Sequence, residues 1–186
     1  MNVKKALSII SKSISISLYQ MSADDSHWIS NGKAVYNLGN FPWCESEDEL
    51  AAVLGFTNKQ KDSHVFAINN GVPFISGSES IIGLLHPEEL CITNEIGTTA
   101  FFTRNGETYA VNAALLKPFD TEDTTFDLIE LADGTKFIKV NYGFFTAGYL
   151  RTAKISSDIH RRIKDFVKVL NGIRPTNSQE EQDDDA

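Results

Sequence analysis

The chain has 186 residues, of which 41% are hydrophobic and 23% are charged, and its formal net charge is −8. These proportions are close to ordinary globular usage, so the chain can bury a sizeable core. No apolar run reaches the roughly 18 residues of a membrane span, and serines interrupt the first apolar stretch too often for a signal peptide, so no membrane partner is expected. The only cysteines, Cys44 and Cys91, are too far apart for a disulfide framework, which favours reduced, mostly buried thiols in the cytoplasm.

The start of the chain predicts a helix, a strand and a hairpin. A short helix is predicted over 2–13, with an apolar face formed by Val3, Ala6, Leu7 and Ile10. Serines then alternate with apolar residues over 13–19, which is the period of a strand with one buried face. Asn31-Gly32 lies between two apolar runs and readily takes positive φ at both positions, which predicts a two-residue type I′ hairpin.

Similar pairs recur further along the chain, at Asn70-Gly71, Asn105-Gly106 and Asp133-Gly134. The last two lie between apolar runs and predict hairpins. Pro73 cannot donate to a strand ladder, so a hairpin at Asn70 would lie at a sheet edge or be irregular.

The middle of the chain also contains helix signals. Ser46 and Glu49 match a capping box, and Gly55 suits the left-handed stop of a helix of two to three turns. Residues 76–91 stay ambiguous between a helix and a loop, with Pro87–Leu90 interpreted as the opening of a single helical turn.

The clearest helix is predicted over 157–170. Ser156 or Ser157 caps it, and Asn171-Gly172 stops it. One continuous apolar stripe at helical spacing is formed by Ile159, Ile163, Phe166, Val167 and Leu170. Residues 175–186 carry five acids and no base, so they are expected to form a disordered acidic tail.

Together these patterns predict an α+β fold. An antiparallel sheet is built from hairpins, short helices back it, and the last amphipathic helix packs on it. This organisation is compatible with a clamp-like fold, which is an analogy at the level of the fold alone. We expect residues 1–174 to form a single domain, with a division into two lobes near 92–98 as the alternative.

The sequence lacks the common catalytic motifs. It has no P-loop, nucleophile elbow, zinc-protease helix, paired C-x-x-C or dinucleotide-binding glycine pattern. His27, His64, His86 and His160 are isolated, and none has a second ligand at a metal-binding spacing. Cys44 precedes a helix, which favours a thiolate, but neighbouring acids oppose it and no partner base is visible. No catalytic residue, metal or cofactor is therefore expected.

The candidate site is a group of basic residues that lie away from the apolar stripe of the last helix: Arg161, Arg162, Lys164 and Lys168. They can be a solvated helix face, a surface that meets nucleic-acid phosphates or a protein partner, or a face onto which the acidic tail folds back. An acidic body with one basic stripe suits a protein that touches nucleic acid in one place and repels it elsewhere.

Three segments near the start of the chain, residues 6–13, 16–20 and 28–32, resemble small uncharacterised proteins of phages and mobile elements in Gram-positive bacteria. The resemblance covers about the first 40 residues, and its motifs are hairpin chemistry rather than a site. It transfers no catalytic residue. It implies an accessory protein, in replication or in host takeover.

Three classes of function stay open. The leading hypothesis is a non-enzymatic binding protein that acts through its sheet surface or the helix 157–170 on a protein or nucleic-acid partner. Its specific form is a clamp-like, DNA-associated protein. A homo-oligomer also stays open. The second is an acidic inhibitor that mimics nucleic acid for a host defence enzyme. It predicts a clustered negative face formed by Asp120, Glu122, Asp123, Asp127 and Glu130. The third is an enzyme of unrecognised type, for which the sequence shows no converging polar groups.

Overall fold

The computed structural model describes residues 1–22, 26–73, 75, 79–95, 97–119 and 123–170. Its helices are α1 (Val3–Ile10), α2 (Glu47–Val53), α3 (Asn58–Lys61) and α4 (Ser157–Leu170), with a 3₁₀ turn at Ala113–Leu116. Its strands are β1 (Ser15–Met21), β2 (Ser26–Ser30), β3 (Ala34–Gly39), β4 (Val65–Asn70), β5 (Ser80–Asn94), β6 (Gly97–Arg104), β7 (Glu107–Asn112), β8 (Thr124–Glu130), β9 (Lys136–Tyr142), β10 (Phe145–Arg151) and β11 (Ala153–Ile155). The predicted α+β class is confirmed. None of these helices combines the length and the apolar character that crossing a membrane requires.

The eleven strands of the described residues form one sheet in the order β11-β7-β6-β5-β8-β9-β10-β3-β2-β1-β4. Part of this sheet closes on itself, because β10 pairs with β9, β11 pairs with β7, and Thr152 alone separates β10 from β11. Strands β5 to β11 therefore form a ring. From β10 the sheet continues outward through β3, β2, β1 and β4. A clamp-like arrangement of these elements stays a prediction.

The main core follows from the two-residue period of the strands, which turns alternate side chains to one face. Buried residues of the ring that share this core include Leu85, Phe102, Tyr109, Phe126, Leu128, Ile138, Val140 and Leu150. The same core continues beneath α1 and β1 through Ile10 and Leu18. The neighbours of these residues along the strands, such as Ile129 and Tyr149, belong to a second and smaller cluster on the opposite face.

The predicted turn type agrees with the observed backbone angles at one of the following two hairpins and not at the other. At Asn105-Gly106 both residues have positive φ, 48° and 78°, as a type I′ turn requires. The hairpin at Asn31-Gly32 is also confirmed, but its predicted type I′ turn is wrong, because Gly32 has positive φ and Asn31 does not. The Asn31 side chain instead accepts hydrogen bonds from the backbone N–H groups of Lys33 and Ala34, which holds Asn31 in an Asx turn.

Two segments differ more strongly from the sequence prediction. Pro87–Leu90 lie inside β5 and form no helical turn. The pairing of β5 with β6 breaks after Pro87 and resumes at Cys91, and this bulge accommodates the missing proline N–H. Asn70 ends β4, which is an edge strand as predicted but pairs in parallel with β1 rather than in a hairpin. Parallel pairing joins segments that are distant in the chain, so no local turn signals it.

Candidate functional site between α4 and β5

Helix α4 is held on the sheet by a buried histidine. His160 is only 8% exposed, and both of its ring nitrogens have partners. Nε2 lies 2.8 Å from Glu88 Oε2 on β5, so it donates to that carboxylate, and Nδ1 lies 2.9 Å from the hydroxyl oxygen of Thr108 on β7. The ring also packs against Phe101 of β6, with the ring centroids 5.8 Å apart. One side chain therefore ties α4 to three neighbouring strands.

Glu88 completes this anchor. Its second carboxylate oxygen accepts a hydrogen bond of 2.7 Å from Lys164, one helical turn after His160. Burial by itself raises the pKa of Glu88, but the hydrogen bonds from Lys164 and His160 outweigh it and hold the pKa below the usual carboxyl value. The charged form of Glu88 is therefore the one that the folded chain favours.

Thr108, His160 and Glu88 are joined by two hydrogen bonds, and their residue types are those of a catalytic triad. A nucleophile must reach its substrate, however, and Thr108 is only 1% exposed beneath α4. We therefore assign these three residues to the attachment of the helix and not to chemistry.

The four basic residues predicted as the site all lie on α4, but most of them have acidic partners. Lys164 pairs with Glu88, Arg161 with Asp158 at 3.0 Å, and Lys168 with Asp165 at 4.0 Å. Arg162 is exposed and has no acidic partner within the described part of the chain. The positive charge that this helix offers to a partner is therefore concentrated at Arg162.

Arg162 lines an apolar groove between α4 and β5. The groove has a volume of about 510 Å³, and its other lining residues are Leu90, Cys91, Ile92, Thr93, Ile159, Ile163 and Phe166. Ile159 is 54% exposed and Phe166 is 64% exposed. The apolar stripe was predicted to pack on the sheet; instead these two residues leave a large part of their surface open to solvent, while His160 and Lys164 make the polar contacts with the sheet. The side chains of Val167 and Leu170 lie outside what the structure describes.

The strand beside this groove has an open edge. β5 pairs with β8 through residues 80–85 and with β6 through residues 86–94. Among the described residues, no strand pairs with the 86–94 segment on the side away from β6. Backbone N–H and C=O groups of a strand alternate between its two sides, so on this side of residues 86–93 the described strands leave the backbone donors and acceptors without a ladder partner, next to apolar side chains.

The remaining reactive side chains show less promise as a site. Cys44 is buried, and burial together with the charge of Glu49 raises the pKa of its thiol, which disfavours a nucleophilic thiolate. Cys91 is exposed, which corrects the prediction that both thiols are mostly buried. His27 is buried, and neither of its ring nitrogens has a hydrogen-bond partner among the residues that the structure describes. The described residues contain no group of three potential metal ligands.

The acids proposed to form a negative face are partly engaged within the sheet. Asp127 accepts a hydrogen bond of 2.9 Å from Asn141, and Glu130 pairs with Lys136. Asp120 and Glu122 lie outside the described residues, as do the predicted stop at 171–172 and the acidic tail over 175–186.

Neither the anchor nor the groove was predicted from the sequence. The spacing of His160 and Lys164, four residues apart, places both on one face of a helix and is the one local signal that was available. Their partner Glu88 is 72 positions away from His160, in a segment interpreted as a helical turn. Comparisons with protein-family models, with curated proteins and with solved structures found no match. The geometry of the site is therefore the basis for assigning a function.

Proposed function

We propose that this chain is a non-enzymatic binding protein that takes up an extended segment of a partner protein along the open edge of β5. The observation that carries the proposal is the coincidence of two features at one place. Among the described strands, residues 86–93 have a strand neighbour only on the β6 side, and the groove formed with α4 lies beside them. An added strand would pair with the backbone groups for which the described strands supply no partner, and the groove would receive its side chains.

The groove also defines the chemistry of the occupant. Alternate residues of an extended segment point to the same face, so apolar residues two apart would contact Ile159, Ile163 and Phe166. Exposed aromatic side chains at such positions commonly contribute much of the binding energy. Arg162 at the same groove has no acidic partner among the described residues, so the preferred segment also carries an Asp or Glu.

A peptide fits this surface better than a nucleic acid does. Three of the four predicted basic residues of α4 are next to carboxylates of this chain. A phosphate backbone gains most of its affinity from several unpaired cations, whereas apolar side chains form the lining that protein segments use.

The direct test is a selection of binders from a random-peptide library displayed on phage particles, carried out on the whole chain. We expect enriched peptides to show apolar residues two apart together with an acidic residue. Each peptide should slow the alkylation of Cys91, which lines the groove and is exposed, while Cys44 is buried.

A matched pair of variants locates the binding. Phe166→Ser should weaken the selected peptides about tenfold or more, as expected for an anchor side chain. Phe144→Ser is the control, because Phe144 is an exposed phenylalanine that lies away from the groove, in the turn between β9 and β10. Selection on Arg162→Glu should recover basic residues in place of acidic ones. The proposal is wrong if no selected peptide distinguishes Phe166→Ser from the unchanged chain.

The biological setting belongs to the same proposal. The resemblance of about the first 40 residues to proteins of phages and mobile elements supports an accessory role in such an element, and its motifs are turn chemistry rather than site residues. A clamp-like, DNA-associated form would need a phosphate-binding surface elsewhere on the chain.

A further inference from the structure

Four exposed lysines surround a second groove, which is formed by the N-terminal helix and a segment from the middle of the chain. The groove lies between α1 and the 3₁₀ turn Ala113–Leu116 and has a volume of about 540 Å³. The lysines are Lys4, Lys5, Lys12 and Lys117. The first three lie within residues 1–20, which contain no acidic residue, and the fold brings Lys117 beside them.

The packing of α1 explains why these lysines meet. The helix buries Ala6 and Ile10 completely, which turns its polar side outward. Just before the helix, the backbone N–H of Asn2 donates to the carbonyl of Pro118 at 2.6 Å. This bond fixes the segment that carries Lys117 beside the first turn of α1, and we define the four side chains as the lysine patch.

The lysine patch has no acidic partner within the described residues, although the chain as a whole is acidic. None of its four residues lies within 4.0 Å of a carboxylate in the part of the chain that the structure describes, whereas Lys136, Lys139 and Lys164 do have such partners. The whole chain carries a net charge of −8. Like charges that share one groove repel each other, so a bound anion with several charges would relieve an unfavourable interaction.

We propose that the lysine patch binds the phosphate backbone of a nucleic-acid duplex. A duplex presents one negative charge per about 1.7 Å of its axis, so several phosphates can meet the four ammonium groups at once. The described lining residues include no aromatic side chain on which an unpaired base could stack, which favours a duplex over a single strand.

The surroundings of the lysine patch argue against a membrane surface. A helix that lies on a bilayer needs an exposed apolar face, and the apolar face of α1 is buried in the protein core. Ile9 is the one large apolar residue among the described residues of the lining, and it is partly buried against the core. The acidic remainder of the protein would repel the duplex elsewhere and so orient it toward the lysine patch.

The test is a fluorescence-anisotropy titration of the full chain with a labelled duplex DNA of mixed sequence, repeated across salt concentrations. Four phosphate contacts predict a slope of about −3 to −4 for log affinity against log salt. This slope corresponds to an affinity loss of about 100-fold between about 50 and 200 mM salt. Lys5→Ala/Lys117→Ala should weaken binding at low salt and reduce the magnitude of the slope by about two.

Matched variants and probes distinguish this site from others. Lys33→Ala/Lys59→Ala removes the same charge from exposed lysines outside the groove and should leave the slope unchanged. Arg161→Ala/Arg162→Ala should also leave it unchanged; if this variant alone loses binding, the duplex binds α4 and the lysine patch does not. The inference is overturned as well if duplex DNA fails to bind at the lowest salt, if both lysine variants lose affinity equally, or if vesicles of anionic lipid bind more tightly than the duplex.

Discussion

The contact between Glu88 and His160 should determine whether α4 stays on the sheet. The perturbation is a double-mutant cycle of Glu88→Ala and His160→Ala. Removal of Glu88 deletes two hydrogen bonds to a charged group, each worth about 1.5–3 kcal/mol. The Lys164 side chain is 44% exposed, so water replaces much of its bond, whereas the His160 side chain is 10% exposed and loses its partner inside the protein.

We therefore expect Glu88→Ala to lower the free energy of α4 detachment by about 2 kcal/mol, with a coupling to His160 of about 1–2 kcal/mol. Amide hydrogen exchange of residues 157–170, followed by mass spectrometry, measures this directly. A loss of about 2 kcal/mol makes exchange about 30-fold faster, because 1.4 kcal/mol corresponds to a factor of ten.

The neighbouring residue Arg161 supplies the control. Its pair with Asp158 is exposed on both sides, so Arg161→Ala should change exchange by less than about 0.5 kcal/mol. The reasoning is refuted if the cycle shows no coupling between Glu88 and His160, or if Arg161→Ala releases the helix as strongly as Glu88→Ala does.

Three other outcomes follow from single contacts. The pKa of Glu88 is lowered in the folded chain, so its contribution to α4 docking should be fully present above the ordinary carboxyl pKa of 4.5. The contribution should be lost as the pH falls through the lowered pKa, and amide exchange of α4 measured across acidic pH checks this. Gly148→Ala should destabilise the chain by about 1–3 kcal/mol in urea unfolding, since the added Cβ would lie 2.6 Å from the carbonyl oxygen of Val35; unchanged stability would contradict the close packing of β10 on β3. A thiol reagent should modify Cys91 rapidly in the folded chain and Cys44 only on unfolding, as peptide mapping of the labelled sites would show.

The parts of the fold that depend only on residues close together in the chain could be predicted from the sequence. The turn at Asn105-Gly106 is an example, because positive φ at both positions is a property of that pair. The start of α4 at Ser157 is another, because the serine cap signal and the helical period lie within the segment itself. At Asn31 the same turn chemistry led to the wrong turn type, since a side-chain hydrogen bond to Ala34 competes with the left-handed conformation.

The candidate site could not be predicted in the same way, because it depends on distant segments. The interpretation of Pro87–Leu90 as a helical turn followed local preference, and pairing with β6 overrides it. The basic residues of α4 were correctly placed on one helix, but a sequence does not show that Glu88 neutralises Lys164. Nor does it show that Lys117 joins the lysines of α1.

The most direct measurement of the proposed function is amide exchange of residues 88–94 with and without a selected peptide bound. An added strand would pair with backbone groups that point away from β6, so we predict strong protection of amides in this segment and little change in β9 or β10. Protection confined to α4, or a binding peptide that leaves residues 88–94 unprotected, would contradict strand addition at the edge of β5.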